Sequence, residues 1–272
     1  MNIIMDEATC QVGKKKVTIA TEQDAFDKAL AVLNKAGYIQ TETKDLAQAR
    51  IALGKQHDVS QYGSYNQEGF LYLPKDAKSI LIVDGKHNPI LKNPVEATNA
   101  HRNGKEFYVE ADKLRQLAKS NPNDAIKSGV LLLSRNDIKN ISVDKLAEHP
   151  LSNFLLRDTA KDYGKFLKDA NISSVPIYVD DKDYTQKQDK PFARLLWLWN
   201  LGDNSGFDGF SWDLHDGSRV RGVRASTEGA KLTSQKSLVQ RPTLTQILKT
   251  SRQYVPDASR KQFEADIQKL YQ

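Results

Sequence analysis

The segment 191–227 uses a restricted set of amino acids, and this restriction most constrains how the chain can fold. It contains no Lys, Glu or Gln, although the whole chain has 28 Lys. Gly, Asp, Asn, Ser, Phe and Trp fill it instead, between short apolar stretches. Turn-forming residues mixed with aromatic ones are typical of a recognition surface built from loops.

Two stretches of strand-forming residues bracket the unusual part of this segment, at 195–198 and 219–223. Between them the apolar residues Leu201, Phe207 and Leu214 are six and seven positions apart. This spacing fits neither the period of a strand nor that of a helix. It predicts loops that are anchored to a core at intervals, with solvent-exposed residues between the anchors.

Residues 67–228 predict an α+β domain. Strands and helices follow one another without strict alternation, which favours a mixed sheet over a parallel α/β one. The expected strands are 69–74, 79–84, 106–110, 129–134 and 175–179, and the expected helices are 111–120, 124–128 and 158–170.

The N-terminal residues 1–66 predict an added helical segment. A short strand at 16–20 precedes a helix that begins at Thr21, with Glu22, Gln23 and Asp24 in its first turn, and ends at Gly37. The polar stretch 57–67 is expected to be a linker. A second helix begins at Thr43, and the apolar residues of the two helices are Phe26, Ala29, Leu30, Leu33, Leu46, Ala49 and Ile51.

The C-terminal residues 229–272 predict a small helical hairpin. One helix begins at Pro242 and the other at Pro256, since proline is common in the first turn of a helix. Apolar stripes with helical spacing follow both prolines. This hairpin is expected to be appended to the α+β domain.

The composition limits the compartment and the class of protein. One cysteine, Cys10, excludes an internal disulfide framework. The acidic start is too short for a signal peptide, and no apolar run is long enough for a membrane helix. The cytoplasm is the default expectation, with a virion or the cell surface left open. The formal net charge of +6 comes from Lys residues scattered among acids, as on solvated helix faces.

Several motifs resemble the target proteins of diversity-generating retroelements, specifically the archaeal variable proteins with a C-type lectin fold. The motifs are GFLYLP, NPIL with EATNAHRNGKEFYV, SGVLLLSRNDI, LRDTAKDYGKFLK, FARLLWLWNL and RVRGVR, which together cover about 69–224. The resemblance implies a C-type-lectin-like domain at 67–228, with a variable region at about 195–224. It also implies a ligand-binding protein, not an enzyme, with no cofactor, no catalytic residue and no metal site.

In that family a reverse transcriptase copies a template with errors at adenines. An Asn codon randomised at both adenines cannot give Lys, Glu, Gln, Met or Trp, whereas an AGG template codon gives Trp by one change. The restricted alphabet then has a mutational cause, and Trp199 and Trp212 are not exceptions. The positions expected to be diversified are Trp199, Asn200, Gly202, Asp203, Asn204, Gly206, Asp208, Phe210, Ser211, Trp212, Asp213, His215, Asp216, Gly217 and Ser218.

The remaining positions of the segment are expected to be fixed. The resemblance implies fixed residues at Leu198, Leu201, Ser205, Gly209, Leu214 and 219–223, with Phe207 at an anchor where Leu is expected. Trp197 is expected in the core. Aromatic side chains between Ser, Gly and Asn resemble an antibody paratope, in which Trp199, Phe210 and Trp212 supply rigid contact area. The ligand is expected to be a protein or a cell-surface molecule.

Other functions remain as alternatives. The four Asp residues at 203, 208, 213 and 216 do not have the spacing of an EF-hand, so calcium is not expected. A formylglycine-generating-enzyme-like catalytic domain would share the fold, but Cys10 lies far from the loop segment in sequence. Arg219 and Arg221 share one face of a strand, which leaves a basic nucleic-acid-binding module open. Nucleic acid is the weaker expectation because these arginines can instead pair with acids.

Overall fold

A ten-stranded mixed sheet organises the part of the chain that the computed structural model describes, residues 6–210 and 213–226. The strand order is β1-β2-β12-β4-β10-β11-β9, with β3 beside β12, β5 beside β4 and β6 beside β5. Two short strands, β7 and β8, form a separate pair. The strands are β1 (Asp6–Val12), β2 (Lys15–Asp24), β3 (Ile39–Gln40), β4 (Ser64–Tyr72), β5 (Ser79–Val83), β6 (Val130–Ser134), β7 (Ile141–Ser142), β8 (Ser174–Val175), β9 (Ile177–Tyr178), β10 (Phe192–Leu198), β11 (Phe207–Asp208) and β12 (Ser218–Ala225).

Helices cover both faces of this sheet. Alternate residues of β4 and β5 therefore enter different core clusters: Phe70 and Ile82 enter one, and Leu71 and Leu81 enter the other. Both faces are apolar, which explains the continuous apolar runs of β5 and β6. The helices are α1 (Phe26–Lys35), α2 (Thr43–Leu53), α3 (Asp58–Gln61), α4 (Pro89–Lys92), α5 (Pro94–Arg102), α6 (Asp112–Ser120), α7 (Ala125–Ser128), α8 (Pro150–Leu156), α9 (Ala160–Asp169) and α10 (Lys182–Gln186).

The sequence predicted a separate helical segment at 1–66, but the described part of this stretch contributes strands to the main sheet. β2 runs from Lys15 to Asp24 and pairs antiparallel with both β1 and β12. The expected first helical turn at Glu22–Asp24 is therefore strand, because pairing with β12 over eight residues outweighs a local capping pattern. The helix that follows has the expected face, with Phe26, Ala29, Leu30 and Leu33 buried.

The prediction of a linker at 57–67 is also wrong. This stretch contains α3 and the first residues of β4, a central strand whose polar Asn66 and Glu68 are buried. The Glu68 carboxylate accepts hydrogen bonds from the backbone amide (3.0 Å) and the hydroxyl (2.9 Å) of Thr43, the first residue of α2. Burial raises the pKa of Glu68 to about 7, although the bonds from Thr43 oppose this shift. A polar strand of this kind has the composition of a loop, which is why its pattern was misleading.

Several smaller predictions differ from the structure in detail. The expected strand 106–110 contributes one isolated bridge, between Tyr108 and Phe192. Ile51, expected on the apolar face of α2, is 37% exposed, whereas Leu46 and Ala49 are buried. The α+β class is confirmed by the mixed sheet and its helices. The expected hairpin at 229–272 lies outside the described residues.

Candidate functional site

The loop segment lies between two neighbours of β4 near the middle of the sheet. β10 ends at Leu198 and β12 begins at Ser218, and both strands pair with β4. Between them the described residues form one two-residue strand, β11, which pairs with β10 and with β9. Both ends of a loop-rich segment are therefore fixed by long strands of the scaffold.

The anchors expected from the sequence form the base of this segment. Leu198, Ser205, Phe207 and Leu214 have no exposed surface, and Gly209 is also buried. Leu201 is half-buried. We call these six residues the loop base. The Phe at position 207, where Leu was expected, fits the core without exposure.

Backbone hydrogen bonds hold the loop base to the scaffold. The amide of Leu201 donates to the carbonyl of Ser60 (3.0 Å), and the carbonyl of Leu214 accepts from the amide of Phe26 (2.7 Å). The amides of Phe207 and Gly209 donate to the carbonyls of Pro176 and Tyr178, both at 2.9 Å. These bonds use main-chain atoms only, so they do not depend on which side chains stand between the anchors.

Ser205 connects the loop base to a buried arginine. Its Oγ lies 2.8 Å from Nη1 of Arg50 and 2.6 Å from the hydroxyl of Tyr163. Arg50 is itself fully buried and donates from Nε to the carbonyl of Val59 at 2.7 Å. Asn204 and Ser205 both have a positive φ, of 56° and 54°. This left-handed turn is unusual for serine, and the buried hydroxyl network compensates for its cost.

A second arginine braces the start of the segment from below. Arg194 on β10 is fully buried and forms an ion pair with Glu106 and another with Asp180, the latter with 3.3 Å between Nε and Oδ2. Burial raises the pKa of Asp180 to about 6, while Arg194 opposes this shift. The Tyr72 hydroxyl, which lies beside Asp180, donates to the carbonyl of Gly209 at 2.7 Å. The segment that carries the ion-paired Asp180 is thus linked to the loop base through Tyr72.

The two arginines that suggested nucleic-acid binding serve the scaffold. Arg221 is fully buried and donates to Oδ1 of Asp58 at 2.8 Å and to the carbonyls of Tyr62 and Gly63 at 3.2 Å. Arg219 donates to the other oxygen of Asp58 at 2.6 Å. Burial lowers the pKa of Arg221 to about 10, and Asp58 opposes this shift. Burial alone would raise the pKa of Asp58, but the two arginines together lower it below its usual value.

Seven of the thirteen described positions that were expected to vary face solvent. Trp199, Asn200 and His215 are half-buried, and Ser211 and Trp212 lie outside the described residues. We call the seven exposed positions the loop face: Gly202, Asp203, Asn204, Phe210, Asp213, Asp216 and Gly217.

Three positions expected to vary are buried instead: Gly206, Asp208 and Ser218. A Cβ atom on Gly206 would lie 3.0 Å from atoms of Pro176 and Tyr178. The Asp208 carboxylate accepts from the amide of Phe210 at 2.6 Å, and the Ser218 hydroxyl donates to the carbonyl of Asp213. The sequence predicted that residues between the anchors are exposed to solvent, and this prediction is wrong at these three positions.

Four residues of the loop face, Phe210, Asp213, Asp216 and Gly217, line one side of a pocket of about 400 Å³. Trp197, expected in the core, is half-buried and forms part of the wall, between Tyr65 (ring centroids 4.8 Å apart) and Trp199 (6.1 Å). Tyr65 is a site residue that sequence reasoning missed, because it lies in the stretch taken for a linker. The described residues that line the pocket are Tyr65, Trp197, Trp199, Asp208, Phe210, Asp213, Asp216, Gly217 and Ser218.

The single thiol and the possible metal ligands of the described residues do not form a metal-binding cluster. In residues 6–210 and 213–226, no group of three or more His, Cys, Asp or Glu is placed to hold a metal ion. Cys10 on β1 is buried in the core, and burial raises the pKa of its thiol. A larger groove of about 690 Å³ lies between α2 and α9, away from the loop segment, and is lined by residues such as Gln48, Asp162 and Phe166. No helix in the described ranges is long and apolar enough to cross a membrane.

Comparison with known proteins identifies the fold. No protein-family model and no curated protein matches the chain. A solved structure described as the accommodation of massive sequence variation in Nanoarchaeota by the C-type lectin fold is similar to it, with a TM-score of 0.55 and 18% sequence identity. The match covers 79% of this chain and 100% of that chain. The expected fold is therefore confirmed: this chain has a C-type lectin fold.

Proposed function

We propose that this chain is a ligand-binding protein whose loops at about 199–218 are diversified by retroelement-driven adenine mutagenesis. The ligand is a protein or a cell-surface molecule, and the loops bind it without catalysis. The sequence of the loop face is then one member of a repertoire. The loop base and the strands around it belong to the part that all members share.

One observation carries this proposal: the restricted alphabet coincides with a separation between buried anchors and exposed side chains. Seven positions whose residues fit adenine-mutated codons make up the loop face, whereas the apolar anchors Leu198, Phe207 and Leu214 are buried. Gly206, Asp208 and Ser218 depart from this separation because they are buried. The anchors are held by backbone hydrogen bonds to Ser60, Phe26, Pro176 and Tyr178. Since these bonds need no particular side chain at the exposed positions, the scaffold tolerates variation there.

The similar solved structure supports the same function. It is described as a C-type lectin fold that accommodates massive sequence variation in Nanoarchaeota. At 18% identity the likeness extends to the fold, and the transfer of variability to this chain is part of the proposal. The two lines of support are independent, because one rests on the alphabet of this sequence and the other on backbone geometry.

Sequencing the genome on both sides of the gene tests the proposal. We expect a near-copy of the segment that encodes 195–224, with adenines at the codons of the exposed positions, beside a reverse-transcriptase gene. Related genes from the same population should differ at those codons and agree at the codons of the loop base. A locus with neither a template copy nor a reverse transcriptase would overturn the diversification mechanism.

A further inference from the structure

We propose that the pocket in the loop face binds an organic cation, either an ammonium or a guanidinium group. This inference rests on the proposed function, because most lining residues belong to the positions that we propose are diversified. It names the ligand chemistry of this one sequence. The cation is a Lys or Arg side chain of a protein ligand or a free small molecule with the same group.

Aromatic rings form the walls of the pocket. Tyr65 and Trp197 meet at an angle of 72°, and Trp197 and Trp199 meet at 79°. Phe210, which is 48% exposed, completes the set. Rings at such steep angles present a ring face on one side of the enclosed space and a ring edge on another side. A cation near the face of an aromatic ring is attracted by its π electrons, and several rings together form the cages that bind methylated ammonium groups.

Acidic side chains give the pocket a negative charge. Asp208, Asp213 and Asp216 line it, and the residues described there include no Lys, Arg or His. This contrasts with the whole chain, whose formal net charge is +6. Asp208 is 5% exposed, so its charge lies where water screens it weakly. An anionic ligand is disfavoured there, and a cation gains both Coulomb attraction and contact with the rings.

The Asp208 carboxylate is also held in a fixed position. It accepts hydrogen bonds from Nε1 of Trp199 (3.1 Å) and from the backbone amide of Phe210 (2.6 Å). The first bond fixes the orientation of the Trp199 ring, and the second fixes the backbone from which the Phe210 side chain extends. One carboxylate therefore arranges two of the aromatic walls before any ligand binds, which reduces the entropy lost on binding.

The size of the pocket favours an organic cation over a metal ion. Its volume of about 400 Å³ lies within the range of small-molecule sites. A bound metal needs several ligands within direct contact, and residues 6–210 and 213–226 contain no group of three or more His, Cys, Asp or Glu placed to hold one. A trimethylammonium or guanidinium group is large enough to contact several walls at once.

Titration with cations and their neutral isosteres tests the inference. The probes are choline and N-acetylarginine amide, and their matched controls are 3,3-dimethylbutan-1-ol and N-acetylcitrulline amide. We expect each cation to quench tryptophan fluorescence and to bind about tenfold more tightly than its isostere, because the isostere loses the charge but keeps the shape. The arginine derivative represents a protein side chain and choline represents a free cation, so their relative affinity distinguishes the two sources.

Variants locate the bound cation. Asp213→Asn and Asp216→Asn should each weaken cation binding about two- to fivefold, the effect of losing an exposed charge partner. Asp162→Asn on α9 removes the same charge from the other groove and should leave the affinity unchanged. Equal affinity for cation and isostere, absence of binding by both cations, or equal weakening by all three variants would overturn the inference. The template-copy test of the proposed function is independent of these results, so the two failures are distinguishable.

Discussion

The loop face and the polar groups buried beneath it use the same kinds of side chain in opposite ways. Asp203 and Asp216 on the loop face point to solvent, whereas Asp58 and Asp180 each hold a buried arginine. We call Arg50, Arg194, Arg221 and Glu68, with the residues that they pair with or hydrogen-bond to, the buried polar scaffold. A change on the loop face should alter binding alone, and a change in the scaffold should alter the fold.

The largest effect is expected at Arg221. Arg221→Met removes one of the two arginines that pair with Asp58 and removes the Arg221 hydrogen bonds to the carbonyls of Tyr62 and Gly63, while Arg219 remains on Asp58. Breaking a buried ion pair from one side costs about 3–5 kcal/mol. Urea denaturation measures the loss. Arg224→Met on the exposed end of the same strand is the matched control and should cost about 1 kcal/mol or less. Similar losses in both variants would show that depth in the scaffold does not matter.

The next effect is a pH dependence that arises from Glu68. Its pKa is raised from 4.5 to about 7 in the folded protein, so the unfolded chain releases this proton at lower pH. Between these two values the unfolded state binds fewer protons, and the free energy of unfolding falls as the pH rises, by about 3 kcal/mol in total. The raised pKa of Asp180 acts in the same direction up to about 6.

Urea denaturation across this pH range measures the slope. Glu68→Gln keeps an oxygen that can accept from Thr43 but removes the titrating proton, so most of the pH dependence should disappear. Glu148→Gln, at an exposed position, should retain it. A wild-type protein whose stability rises over this range would contradict the assignment.

Alanine substitutions at three glycines measure how the cost in stability changes from the loop base to the loop face. A Cβ on Gly209 would lie 2.5 Å from the Phe70 ring, one on Gly206 would lie 3.0 Å from Pro176, and one on Gly202 would lie 3.1 Å from the amide oxygen of Asn200. Gly209→Ala should cost about 1–3 kcal/mol, Gly206→Ala less, and Gly202→Ala under about 0.5 kcal/mol. A thermal unfolding series checks this order. An equal cost at all three positions would remove the distinction between base and face.

The smallest effect is expected on the loop face itself. The triple variant Asp203→Tyr, Asp213→Ser and Asp216→Tyr should change the free energy of unfolding by less than about 0.5 kcal/mol per site, because these side chains are exposed. Calorimetry of the triple variant against the wild type measures it. Asn204 and Gly217 are omitted because each has a positive φ, which restricts the residues that fit there. A loss comparable to that of Arg221→Met would contradict the separation of face and scaffold.

Sequence reasoning succeeded where residues carry local patterns. The apolar face of α1, the runs of β5 and β6, and the anchors Leu198, Ser205 and Leu214 follow from spacing or from a family motif. It found the strand at 16–20 but failed for the second half of β2 and for the start of β4, whose polar residues are buried among partners distant in sequence. Gly206, Asp208 and Ser218 were misjudged for the same reason, since their contacts with Pro176, Phe210 and Asp213 depend on how the loops fold back.

The position of β12 in the sheet also has a consequence for the order of events in folding. Its partners on β2 lie about 200 positions earlier, as in the bond from Arg221 to Thr21. The sheet cannot be completed until the ribosome has released nearly all of the described chain, and contacts at such separation make folding slow. This delay is caused by the pairing of distant strands and not by the sequence of the loops between them. Chains that differ only on the loop face should therefore fold at the same rate.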